Sequence, residues 1–210
     1  MRLATSFRNW SLGLATASFL CAGAAWAQPH ASTQQNMMQQ QSWNLVGVNA
    51  RLDHKLDASS AHRGQNVEAT LTGDVTTANG MRLDRGTQLW GEVDQVQSAS
   101  NGGSSMVSVA FTNARLKDGR TIPVKVTVIG VYPADEAQLA VTGQQTMPPA
   151  PRHVSSKTQI DQEPGLLSHV SMRSSVRNYD SATFRDNRGN LKLGQGTFLQ
   201  VGIAPASRQG

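Results

Sequence analysis

The 210-residue chain contains one cysteine, Cys21, and it lies within a segment that reads as an export leader. Without that leader there is no thiol left for a disulfide, so stability has to come from a packed core. Charged residues are also few, at 16%, against 38% hydrophobic residues. That composition suits one modest domain with some loose polar chain and excludes a large multidomain enzyme. The formal net charge of +5 falls to +3 once Arg2 and Arg8 leave with the leader. The remaining basic residues are scattered singly from Arg51 to Arg208, without the basic patch or stripe of a nucleic-acid-binding surface. Beyond the leader no apolar run approaches the roughly 20 residues of a spanning helix, so the mature chain is expected to be soluble or peripherally attached.

Groupings that carry chemistry are absent as well. The five histidines (His30, His54, His62, His153 and His169) have no zinc-helix spacing, and Met37 with Met38 lacks the His or Cys neighbours of a soft-metal site. His54 falls on the apolar phase of the first strand, where it reads as a hydrogen-bonded core or rim residue. Asp53 with Asp57, and Asp84 with Glu92 and Asp94, lack the carboxylate density of a calcium loop. No serine sits in a Gly-x-Ser-x-Gly elbow. No catalytic set, metal or cofactor is expected, and binding is the better class of function.

The leader occupies residues 1–27. Arg2 and Arg8 precede an apolar run from Leu12 to Ala25, and Ala25-Trp26-Ala27 supplies the small-x-small cleavage pattern. Leu20 stands before Cys21 where lipid attachment would want a small residue. Cleavage after Ala27 predicts a periplasmic or extracellular protein. Residues 28–44, including Gln39-Gln40-Gln41, show neither helical nor strand period and read as a flexible lead-in.

From residue 45 onward the pattern alternates. Val46, Val48, Ala50, Leu52 and Leu56 share one phase, followed by Val67, Ala69, Leu71, Gly73 and Val75. Asn79-Gly80 marks a tight turn before Met81 and Leu83. Leu89, Gly91 and Val93 follow, then a hairpin tip at Asn101–Ser105, then Val107, Val109 and Phe111. Phe111 and Phe198 both read as core residues. Lys117-Asp118-Gly119-Arg120 is a further hairpin turn. The next strand runs through Ile122, Val124, Val126 and Val128 and then shifts phase to Ile129 and Val131, which implies a bulge or a strand buried on both faces. Residues 133–165, with Pro148, Pro149 and Pro151, read as an exposed polar insertion. Order resumes around Val170–Val176, and residues 191–203 form a closing strand before a frayed tail at 205–210. The predicted fold class is all-β, an antiparallel barrel or sandwich spanning residues 45–204.

Leu83-Asp84-Arg85-Gly86-Thr87-Gln88-Leu89 is echoed by Leu193-Gly194-Gln195-Gly196-Thr197-Phe198-Leu199, both of the form Leu-x-x-Gly-Thr-x-Leu. A strand entering a turn at Gly, where positive φ costs little, followed by a Thr able to bond the turn backbone, accounts for the pattern. The structural turn residues are therefore Gly86, Thr87, Gly91, Gly196 and Thr197. With its surroundings the pattern resembles the C-terminal β-barrel domain of TrbI-type conjugal transfer proteins, the channel-spanning scaffold of type IV secretion systems. The likeness covers roughly Leu45 to Tyr132 and the last strand: Val67–Val75 as an early strand, Arg85–Gly91 as the Gly-Thr turn, Leu116, Asp118 and Gly119 at the Asp-Gly hairpin, and Gly196–Val201 as the closing strand. It implies a barrel standing in a ring in the cell envelope, with other envelope proteins as partners. The family's N-terminal membrane helix is replaced here by a cleavable leader. The region of its apolar helical pair, near Pro133–Val176, is polar, so the pore and energy-transducing functions are not implied. Independently of the resemblance, Trp90 lies opposite the Leu89, Gly91 and Val93 phase, where it is either an interaction surface or a second core plug. An outward Trp90 gives the alternative reading, a free-standing envelope domain that binds a glycan or peptidoglycan.

Overall fold

The computed structural model describes residues 43–100, 103–134, 148–154, 159–162, 167 and 169–206. Thirteen strands are present: β1 (Val46–Leu52), β2 (Leu56–Asp57), β3 (Asn66–Leu71), β4 (Val75–Thr76), β5 (Arg82–Leu83), β6 (Gln88–Gln97), β7 (Ser105–Arg115), β8 (Thr121–Tyr132), β9 (Gln159–Gln162), β10 (Val170–Ser175), β11 (Ala182–Asp186), β12 (Lys192–Leu193) and β13 (Phe198–Pro205). Among the described residues there is no helix, and hence none long and apolar enough to cross a membrane.

Strands β6, β3, β1, β13, β8 and β7 follow one another in that order, all antiparallel, and β6 pairs back onto β7. The result is a closed six-stranded barrel, which removes the exposed edges that an open sheet of this length would carry. β11, β10 and β9 extend from β7 in sequence, and two short ribbons, β2–β12 and β4–β5, stand apart from the main sheet. The core is aliphatic. Ala50, Leu71, Leu89, Val93, Val107, Val126, Leu199, Val201 and Ile203 are buried in one cluster with Phe111 and Phe184. Period-two burial along β3, where Val67, Ala69 and Leu71 point inward, shows how the alternation closes into an interior.

Some expectations need correction. The first alternating run is two strands, because β1 ends at Leu52, whose N–H donates to Thr197 O at 2.9 Å, while Leu56 pairs with Leu193. Leu52 and Leu56 are an even number of residues apart and both are buried, so the bend between them leaves the period-two pattern intact. His54 lies in that bend and is exposed, not a core or rim residue. The second run breaks in the same way between Leu71 and Val75. Phe198 is not core: it is half-buried on the outer face beneath Arg51. Pro205, assigned to the tail, is the last residue of β13 and pairs with Val124.

The described part of the 133–165 insertion is tied to the sheet more closely than a simple excursion. Pro151 O accepts the Gly47 N–H at 3.0 Å, Val154 bridges to Leu45, and residues 159–162 form β9. Residues 135–147, 155–158 and 163–166 lie outside the described residues, as do Asn101 and Gly102 of the hairpin tip and residues 1–42, which include the leader and most of the lead-in. The phase shift in β8 is a bulge: Val201 pairs with Val128 and Gln200 with Gly130, leaving Ile129 as the extra residue.

β7 and β8 pair directly only at Asn113–Arg115 against Thr121–Pro123. Beyond that point they diverge, and buried Ser181, just before β11, fills the fork. Its N–H donates to Val109 O at 2.7 Å, its carbonyl accepts the Val128 N–H at 2.9 Å, and its Oγ accepts the Phe111 N–H at 2.9 Å. One residue thus satisfies backbone groups of both separating strands, which buried backbone requires. Ser174 Oγ adds a bond to Val128 O from β10.

Candidate functional site

The two Leu-x-x-Gly-Thr-x-Leu segments form corners with the same hydrogen bonds. At the first, Gly86 has φ 88° and donates its N–H to Leu71 O at 2.8 Å, while Thr87 donates its N–H to Asp84 O and accepts the Leu71 N–H. At the second, Gly196 has φ 82° and donates to Leu52 O at 2.8 Å, while Thr197 donates to Gly194 O and accepts the Leu52 N–H. Both threonines are buried, and Thr197 Oγ1 also donates to Gly194 O at 2.7 Å. Each corner therefore caps the end of one barrel strand, β3 or β1, and sends the chain into another, β6 or β13. Gly86→Val and Gly196→Val are each expected to cost about 1–3 kcal/mol in urea unfolding, because a β-branched residue is strained at positive φ. Neighbouring atoms add little, since the nearest are the flexible Lys117 Cε at 3.0 Å and Ala134 Cβ at 3.4 Å. Unchanged midpoints for both variants would refute this account of the corners.

Gly91 has a different role. It sits at a bulge where Trp90 pairs with Asn113 and Gly91 with Phe111, and a Cβ there would lie 2.3 Å from Ala110 O. Trp90, offered by the sequence as an interaction surface, is half-buried on the outer face between Glu68 and Asn113 in register. The Arg115 guanidinium lies 5.6 Å from its ring centroid, and its Nε1 is buried with no protein hydrogen-bond partner. The ring is therefore not a bare stacking platform: a glycan would have to displace Arg115 from that face.

A groove beside the first corner was not foreseen from sequence. It has a volume of about 360 Å³ and is open to solvent, bordered by Arg51, Thr70, Leu71, Thr72, Arg85, Gly86 and Phe198. Arg51 stacks on Phe198 with its Cζ 4.5 Å from the ring centroid. Strand register explains the meeting, because Arg51 of β1 lies directly between Phe198 of β13 and Thr70 of β3. A cross-strand map is the signal that would have found it; no linear motif joins these residues.

The displaced ionisations belong to turns and strand surfaces. Asp57 is held below the ordinary carboxylate value by the hydroxyl and N–H of Ser59, Asp118 by the N–H and guanidinium of Arg120, and Asp161 by Arg173 and then Gln159. Burial lowers Lys125, whose ammonium donates to Asn178 O, and raises Tyr132. Because the three carboxyls are depressed in the folded state, their stabilisation is present above the ordinary value of 3.8 and is lost as pH falls through the lower folded values. The urea midpoint is expected to drop below about pH 4, and Asp118→Asn with Asp161→Asn should flatten that drop. A double variant with the wild-type acid profile would show that these contacts do not couple to folding. Among the described residues no three His, Cys, Asp or Glu side chains converge as a metal site would require.

Comparison with known proteins adds little to this geometry. No family model matches the sequence, and no curated protein matches it. Among solved structures, the chain is similar to one described as "Structure of ComB10 of the Com Type IV secretion system of Helicobacter pylori". The two share 10% identity with a TM-score of 0.34, over 80% of this chain and 89% of that one. A superposition that loose carries no argument about what this chain does.

Proposed function

We propose that this protein is a non-catalytic exported β-barrel module, a structural or protein-interaction component of the cell envelope of the TrbI-like kind. One observation carries the reading. The two Gly-Thr segments on which the sequence resemblance rests occupy equivalent corners of one closed barrel, each tied to the end of a barrel strand by the same bonds. The leader motif in residues 1–27 supports release into the periplasm or beyond after Ala27. The groove is bordered by arginines, threonines and Phe198, a set suited to recognition.

The test is the native mass of the protein in gently solubilised envelopes. Recovery in a large, defined complex is expected, with the barrel's neighbours identified in the same particle. Recovery only near monomer mass would overturn the scaffold reading in favour of a free-standing domain. Peptidoglycan retention lost on Trp90→Ala would point the same way.

A further inference from the structure

We propose that the groove between Arg51 and Arg85 receives a carboxylate-bearing segment of a partner protein; this rests on the interaction-module reading and names the chemistry of the partner. The groove brings together positive charges that have no counter-ion within ion-pair distance among the described residues. Arg51 and Arg85 are exposed and in no ion pair among the described residues, and the Lys117 arm reaches the same corner, its Nζ 3.7 Å from where a Gly86 Cβ would stand. The other described cations of this corner are engaged differently: Arg82 is bound by Asp84 at 2.7 Å and Asp74 at 3.7 Å.

Arg51 is also pre-set. Its Cζ lies 4.5 Å from the Phe198 ring centroid, and this contact restrains the side chain, which lowers the entropy lost when its N–H fork closes on a planar carboxylate. Phe198 gives the groove an apolar wall, and Thr70 and Thr72 border it with their hydroxyl protons donated to Asp53 Oδ2 at 2.9 Å and Asn49 O at 3.1 Å. A volume of about 360 Å³ suits several side chains' worth of ligand and exceeds what a lone small anion fills. Acidic groups border the corner. Asp53 accepts the Thr70 hydroxyl at 2.9 Å, and Asp74 accepts the backbone N–H of Arg85 at 2.7 Å. These carboxylates oppose a diffuse polyanion such as a nucleic acid or an anionic bilayer, yet leave room for a single carboxylate placed between the arginines. The favoured occupant is therefore an acidic residue flanked by apolar ones on a protein chain.

The experiment compares the wild type with Arg51→Glu/Arg85→Glu and with the gentler Arg51→Gln/Arg85→Gln, all as full chains in envelopes. Circular dichroism and the thermal midpoint of each purified protein report folding. The expected result is that the wild type is recovered in a large complex, and that both folded double variants are depleted from it about tenfold or more. If the Glu variant does not fold, the Gln variant decides. A wild-type complex that retains the folded variants would overturn the groove proposal while leaving the interaction-module reading standing. Wild type found only near monomer mass would overturn both. Purified wild type that binds phosphatidylglycerol-containing vesicles, with binding lost in both variants, would overturn the protein partner in favour of a lipid headgroup.

Discussion

Gly91→Val is expected to destabilise the barrel by about 3 kcal/mol or more, enough to unfold a marginal domain. The cause is contact and not conformation, since Gly91 is absent from the positive-φ glycines. A Cβ at this position would lie 2.3 Å from Ala110 O and 2.7 Å from Phe111 Cα, both backbone atoms of the neighbouring strand. Flexible side chains can swing away, but the backbone of β7 cannot move without disturbing its register with β6, β8 and β11. Even Gly91→Ala should lose most of that stability. Gly189→Ala is the matched control, because nothing lies within 4 Å of its Cβ position, and it should stay within about 0.5 kcal/mol of wild type. Equal urea midpoints for the Gly91 and Gly189 variants would show that the two strands do not approach as closely as described.

Ser181→Val should be the second severe change. Ser181 Oγ is the acceptor for the buried Phe111 N–H, and its own N–H and carbonyl join β7 to β8 across the fork. Ser181→Ala removes only the acceptor and is expected to cost about 1–3 kcal/mol, the range for leaving a buried donor unpaired. Valine adds two methyl groups to a fully buried position and should cost more than alanine. Hydrogen exchange separates the causes: in Ser181→Ala the Phe111 amide should lose protection ahead of the barrel as a whole. Wild-type protection at Phe111 in that variant would remove Ser181 from its bridging role.

What was legible in the sequence was what a barrel imposes on every strand, an inside and an outside. The alternation of Val67, Ala69 and Leu71, the Asp118-Gly119 turn and the phase shift at Ile129 each report such a local constraint, and each has a counterpart in the fold. Sequence patterning failed where an arrangement keeps the period intact or crosses between distant segments. The bend after Leu52 is invisible because Leu56 returns to the same phase. Ser181 looks like one polar loop residue among many, and its importance comes from strands more than 50 residues upstream. The groove joins residues from β1, β3, the first corner and β13, so no local motif announces it. Phe198 was misplaced for a related reason: an aromatic beside Leu199 reads as core until the register sets Arg51 over its ring.

The position of β13 has a kinetic meaning. Its partners on either side are β1, near the start of the described chain, and β8, near its middle, so neither can complete its pairing until the last strand arrives. Loop closure over so long a span is entropically costly, and such non-local pairing makes folding slow. Until β13 docks, β1 and β8 each keep an unsatisfied ladder. The nascent molecule is thus an open sheet with two adhesive margins, and a chain cut before residue 198 would stay in that state.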